Sequence, residues 1–364
     1  MERIEAELLI PGAGEPVGDG VVIIDNSVIS YAGPASQAPA TPGAVVHRTE
    51  TVMPGLWDCH GHFLGLKGLD ISQLPLDPVP LRAARCTRDL GAALRAGITS
   101  VREVGGLGVY LARAVSEGVL DGPAIYAAGA ILSITGGHAD LHSYPLPWIG
   151  DFGAHHGELR AIVEVAGLAE RIVAAHCHGK PGIMAAVEAG VGTIEHGTYL
   201  DDEACDALRE TGTILVATRT IFEGILANLA AVPEYAAAKL TAVAGRHAEA
   251  VSRAIERGVT IAMGTDISVT GPDRPNCWGT NGAELGHLAR LGMTPLQAIE
   301  AATATAPLTL GPQAPRSGRL EPGYDADIIT VAGNPLADIA VLGRPERITG
   351  VWRNGRSVTS QTPL

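Results

Sequence analysis

Lysine is nearly absent from this chain of 364 residues. It stands only at Lys67, Lys180 and Lys239, and arginine supplies most of the 26 basic side chains. Against 39 acidic residues the formal net charge is −13. Nucleic acids and anionic membranes are held by Lys/Arg patches, so a surface of this sign argues against both as partners. It leaves cationic and neutral substrates open. Long apolar runs are missing too. No stretch approaches the ~18 residues that a membrane-spanning helix needs. The opening MERIEAELLI has no basic region followed by an apolar one, so no secretory signal is expected. The five cysteines (Cys59, Cys86, Cys177, Cys205, Cys277) are scattered, odd in number and without CxxC spacing. That pattern excludes a disulfide framework and points to reduced thiols in the cytoplasm.

What is present supports a large buried core. Hydrophobic residues make up 46% and charged residues 18%, ordinary values for a globular protein. The length fits two domains, or one large barrel with a smaller appendage. Residues 1–54 read as short strands, with turns at Asp25-Asn26 and Gly33-Pro34. Residues 318–364 read alike, and Asn354-Gly355 is a strong hairpin signal. The two ends are expected to form one composite β-domain, a small β-sandwich. Between them, 55–317 alternates apolar runs with Ala/Leu/Arg/Glu stretches of helical period. ELRAIVEVAGLAE precedes RIVAAHCHG, GIMAAVEAG precedes VGTIEHG, and VSRAIERG precedes VTIAMGTD. Several helices end in glycine just before the next strand. Repeated helix-to-strand units imply a parallel α/β sheet, and the length suits a (β/α)8 TIM barrel.

Four polar clusters stand where apolar strand runs end. They are Asp58-Cys59-His60-Gly61-His62, Ala175-His176-Cys177-His178, Glu195-His196-Gly197 and Gly264-Thr265-Asp266. Strand C-termini are where catalytic groups converge in such a barrel. Side chains two apart on a strand share a face, so His60 and His62 can reach one ion. His176 and Asp266 add ligands from other strands. A mixed imidazole and carboxylate set suits Zn2+, with Fe2+ or Mn2+ as alternatives.

These segments carry a family resemblance. VMPGLWDCHGHF resembles the strand-one signature of the amidohydrolase superfamily. GITSVREVGG, ITGGHAD, VAAHCHG, VGTIEHG, IAMGTD, MTPLQAIEAATATAP and GRLEPGYDADIITV resemble segments of its imidazolonepropionase-like branch. The resemblance implies hydrolysis at a C–N bond of an amide, lactam or amidine type. It implies metal ligation by His60 and His62 on strand 1, His176 on strand 5 and Asp266 on strand 8. His196 on strand 6 is either a second-metal ligand or a polariser of the substrate carbonyl. Asp266 is expected to act as general base and then acid.

The sequence departs from that family in one place. Relatives usually carry a strand-4 lysine, carboxylated, that bridges two metals. Here no lysine stands between Lys67 and Lys180. The span between strands 3 and 5 is short, and strand 4 looks degenerate. One ion per chain is therefore expected. The alternative is that His138, His142, Asp151, His155 or His156 replaces the lysine. Around the mouth, His138, His178, Tyr199, Arg219 and Trp278 are candidate substrate contacts, with Asp273 and Arg274 in the same loop as Trp278. Glu103 is a candidate hydrogen-bond partner of a ligand, and His47 and His287 read as ordinary surface or helix residues.

The leading expectation is hydrolysis of an amide or peptide-like bond in a small molecule or peptide. A narrower resemblance is to actinobacterial amidohydrolases that remove a follower peptide from modified peptides, bottromycin among them. A deaminase or cyclic-amide hydrolase is the alternative, and a non-catalytic ligand-binding barrel the third. A homo-oligomer fits the family habit.

Overall fold

The computed structural model describes residues 1–133, 153–155, 159–229, 234–272, 274 and 276–358, with the backbone alone at 153–155 and 234–236. The chain opens with β1 (Glu2–Leu9), β2 (Val17–Asp25), β3 (Val28–Pro34) and β4 (Val45–Pro54). The central strands are β5 (Leu56–Leu66), β6 (Ile98–Glu103), β7 (Ala124–Ala127), β8 (Ile131–Ser133), β9 (Gly153–His155), β10 (Ala174–Cys177), β11 (Thr193–His196), β12 (Ile214–Val216), β13 (Ile261–Ala262) and β14 (Ile267–Val269). It closes with β15 (Ile328–Val331), β16 (Ile348–Arg353) and β17 (Arg356–Ser357).

Both ends of the chain enter one seven-stranded sheet, in the order β17-β16-β15-β4-β1-β2-β3. Its buried residues include Ile4, Val22, Ile29, Val52, Ile328 and Trp352, which form their own apolar cluster. Asn354 and Gly355 both take positive φ, 51° and 73°, as a two-residue hairpin turn requires.

The central strands form two four-stranded parallel sheets, β14-β5-β6-β7 and β10-β11-β12-β13. One seam between them is closed. β13 and β14 flank Asp266, and the stretch they span is tied to β5 by Cys59 N–H to Met263 O at 2.9 Å and Asp266 N–H to His60 O at 2.7 Å. At the other seam, no strand among the described residues pairs with the outer edge of β7 or β10. This is where strand 4 of a TIM barrel belongs. A small parallel pair, β8 with β9, lies between them in sequence.

The helices pack an apolar stripe on the outside of these strands. Leu90 and Ala93, Ile183 and Ala186, Leu208, Val251 and Ala254, Leu285 and Leu288, and Ile299 are all buried in one cluster with Val101, Ile194 and Leu215 of the strands. Two helices end on glycines in left-handed conformation, Gly190 and Gly212, which frees the chain to enter the next strand. Among the described residues no helix is long and apolar enough to cross a membrane.

Candidate metal centre

Strands β11, β12 and β13 each lead into a residue other than glycine in left-handed backbone. These are His196 (φ 70°), Thr218 (φ 56°) and Asp266 (φ 59°). Such a conformation is costly for L-residues and gathers at functional sites. Its effect is visible on β11. Thr193 and Glu195 face the barrel interior, and Ile194 joins the helix-side core. Alternation would send His196 after Ile194. The left-handed turn instead brings its imidazole over the strand end.

Four histidines and one aspartate converge there. His60 Nδ1 lies 2.7 Å from Glu195 Oε2. His62 Nδ1 lies 2.8 Å from the carbonyl of Gly105. His196 Nδ1 lies 2.7 Å from Thr218 Oγ1. The Thr218 hydroxyl itself donates to the carbonyl of Ala217 at 2.7 Å, so toward His196 it accepts. Each of the three rings thus faces an acceptor with Nδ1 and carries its proton there. That leaves Nε2 of each ring facing the site, the nitrogen that would bind a cation, on His62 in exchange for the proton it shares with Asp266. Two of those nitrogens face one oxygen, Asp266 Oδ1, at 3.7 Å from His60 and 3.2 Å from His62. Fixing the far ring nitrogen in this way is how proteins prepare histidine for a metal.

The charges agree. Burial opposes ionisation of Glu195, yet Arg102 and His60 hold its carboxyl down at about 2. Burial also opposes a charged His62, but the Asp266 carboxylate prevails and pushes that ring up to about 9. For His196, burial and the surrounding imidazoles act together and keep the ring well below its usual range, hence neutral. Single ligand atoms of His60, His196 and Asp266 lie within 4.8 Å of one another, as do those of His176, His178 and His196. The donor set fits a divalent cation, and the cluster could hold one. His176 was grouped with His60, His62 and Asp266 from the sequence. In the structure its Nδ1 lies 2.7 Å from His196 Nε2, so His196 joins the two groups.

The remaining candidates fall in different places. His178 is exposed, with Nδ1 2.7 Å from Thr198 Oγ1, and its ring stacks on His196. Tyr199 is exposed just beyond it. Arg219, expected to face a substrate carboxylate, is instead buried and turned into the helical layer. It bonds Glu223 at 2.9 Å and the carbonyl of Ala244 at 2.6 Å. Trp278 is likewise buried rather than lining the mouth. It stacks on Phe63 with ring centres 4.2 Å apart and donates Nε1–H to the carbonyl of His62 at 3.3 Å. Glu103 hydrogen-bonds no imidazole among the described residues. It accepts from Gly108 N–H at 3.3 Å, anchoring the glycine loop whose Gly105 carbonyl holds His62. Arg274 is exposed and bonds the carbonyl of Lys67. The side chains of His138, His142, Asp151, His155, His156 and Asp273 lie outside the described residues.

The sequence places Glu195 in a polar cluster without a role, and it singles out neither Thr218 nor Arg102. The one available signal was Glu195 beside His196 in TIEHG. Alternation places neighbours on opposite faces, which hid it.

Comparison with known proteins identifies the family. The amidohydrolase family model matches residues 51–358. Ochratoxinase of Aspergillus niger is 37% identical, over 97% of this chain and 85% of its own length. Its crystal structure superposes with a TM-score of 0.89 at 36% identity, covering 98% of this chain and 95% of that one. Imidazolonepropionase of Streptomyces griseus subsp. griseus is 27% identical over 95% of each chain. A Xaa-Pro dipeptidase with methionine bound in its active site is 29% identical, with a TM-score of 0.84 over 98% of this chain and 99% of its own. The ochratoxinase alignment runs over 419 positions against 364 residues here, so at least 55 of them (419 − 364) lie opposite gaps in this chain. With the family model matched from within β4 to the last hairpin, the chain belongs to the amidohydrolase family.

Proposed function

We propose that the protein hydrolyses the amide bond between an acyl group and an amino acid, at one zinc ion held by His60, His62, His196 and Asp266, with His176 alongside. The observation that carries this is the set of three rings whose Nδ1 each faces an acceptor, which turns Nε2 of His60 and His62 to Asp266 Oδ1 and Nε2 of His196 to His176. A cation bound there supplies a Lewis acid, which acidifies a water and polarises a carbonyl. The chain's own residues do the rest. Burial would keep Asp266 protonated, but the hydrogen bond from His62 and the nearby imidazoles lower it below the usual carboxylate range. It is therefore ionised and able to take the proton of the attacking water. It then returns that proton to the leaving nitrogen.

His196 has two readings, ligand or carbonyl polariser. A neutral ring whose only proton points at Thr218 has no N–H left for a carbonyl, which favours the ligand role. The substrate class follows from the relatives. Ochratoxinase is an amide hydrolase, and the Xaa-Pro dipeptidase releases an amino acid. His176, at the end of β10, is exposed, a position from which it can contact a bulky acyl group. The imidazolonepropionase relative supports cyclic-amide opening as the second reading.

The test is zinc content per chain, with release of free amino acid from N-acyl amino acids, Xaa-Pro dipeptides and C-terminal peptide fragments. Ammonia release or ring opening without an amine product would favour the second reading. Asp266→Asn should keep the fold and bind zinc, yet lose turnover by about a thousandfold. Wild-type turnover in that variant sinks the assignment.

A further inference from the structure

Two strands that share no edge meet inside the barrel through one ion pair. Arg102 leaves β6 and donates Nη2–H to Glu195 Oε1 on β11 at 2.7 Å. Its Nη1 reaches Thr193 Oγ1 at 3.0 Å, and its Nε reaches the carbonyl of Cys59 on β5 at 2.6 Å. Strands β6 and β11 belong to different four-stranded sheets, so this contact crosses the interior. Arg102, Glu195 and His60 are 5%, 1% and 3% exposed. Glu195 uses its second oxygen, Oε2, on His60 Nδ1 at 2.7 Å. The guanidinium thus fixes the carboxylate from one side, and the carboxylate fixes the imidazole from the other.

We infer that Arg102 and Glu195 are positioning residues, a strut across the barrel interior that holds His60 in the tautomer and orientation a cation needs. The inference rests on the cation reading above and names what that reading requires beneath its ligands. The competing account is that the pair only braces the two sheets against each other. The two accounts separate cleanly. A buried ion pair can often be replaced by apolar residues of similar size without loss of stability, whereas removal of one partner strands a charge. Bracing is therefore replaceable by packing. Orientation of His60 is not, because no apolar side chain accepts its Nδ1–H.

The experiment compares the wild type, Glu195→Gln, and the double variant Arg102→Met/Glu195→Met. Zinc affinity is measured by competition with a chromophoric chelator, well below every melting point, and melting is followed on zinc-free samples. In Glu195→Gln, Arg102 draws the amide oxygen and leaves the amide N–H groups facing His60. That reverses the tautomer and puts the proton on Nε2. Both variants should bind zinc 10- to 100-fold more weakly, on the scale seen for such outer partners (about that range). The single variant should melt lower than the wild type and the double variant near it. Wild-type zinc affinity in the double variant overturns the inference and leaves the pair as a brace. A wild-type protein that takes up no zinc fails at the earlier step, and both readings fall together.

Discussion

Thr218 shows what a single residue can be asked to do. A β-branched side chain at φ 56° is an outlier by ordinary steric rules. The conformation costs about 1–2 kcal/mol. In return, the Thr218 hydroxyl is committed as a donor to Ala217 O and becomes a fixed acceptor for His196 Nδ1. Thr218→Val keeps shape and branching and removes only the oxygen. Zinc affinity is expected to fall about tenfold, on the scale of outer-partner losses. Melting should fall by the equivalent of about 1 kcal/mol. A chelator competition curve that overlays the wild type would remove Thr218 from this role. The four polar clusters at strand ends were legible because strand period and barrel geometry both act locally in sequence. Their supports were not. Glu195 reaches His60 across 135 residues, and nothing in TIEHG distinguishes a carboxylate that holds a ligand from one that faces solvent. Arg219 and Trp278 illustrate the reverse case, since both are buried among protein partners. A cation or an aromatic just past a strand end suits pocket lining and core packing equally, and only the neighbours decide. For Trp278 the neighbour is Phe63, more than two hundred positions away.

At the scale of elements, the best-read feature is the Asn354-Gly355 hairpin, and the structure adds why it must be so. Gly355 sits at φ 73°, and a Cβ there would meet the carbonyl oxygen of Asn26 at 1.8 Å. Gly355 N–H donates to Ala326 O, and Ala326 N–H donates to Ser27 O. The C-terminal hairpin is thereby locked onto the turn between β2 and β3. Gly355→Ala combines a left-handed penalty of about 1 kcal/mol or more with a clash against backbone. It should lower the melting temperature clearly while leaving turnover unchanged well below the melt. A melting curve matching the wild type would show that the hairpin does not hold the two chain ends together. The Pro-, Gly- and His-rich stretch in which strand 4 was expected to be degenerate lies largely outside the described residues. What the sequence did not show is how the remaining strands stay in place. The closed seam depends on β5 reaching both sides of Asp266, and the interior on Arg102 reaching Glu195.

The molecule as a whole carries −13 charges, yet several of its acids are buried where ionisation is resisted. Burial pushes Asp89 from 3.8 up to about 7, against a hydrogen bond from Thr270. Burial likewise pushes Asp327 from 3.8 up to about 6, against the N–H of Asn354. Asp89 lies on the helix Val79–Arg95 and Asp327 just before β15, so the effect is not confined to the metal centre. The sign follows from linkage. Between 3.8 and these raised values the folded chain holds protons that the unfolded chain has released, so stability is lost as pH rises through that window. Above about 7 the penalty is complete. Each pKa unit corresponds to about 1.4 kcal/mol, so the two groups together matter on the scale of total stability. Asp89→Asn and Asp327→Asn keep an acceptor for Thr270 and for Asn354 N–H and cannot ionise. Denaturant unfolding at pH 5 and pH 8 should show each variant gaining on the wild type as pH rises, with Asp327→Asn reaching its full gain at the lower pH. Any bound cation and the histidines contribute alike in wild type and variant, so they cancel from the difference. A gain that stays constant or shrinks toward pH 8 would mean that these carboxyls are ionised in the folded protein throughout.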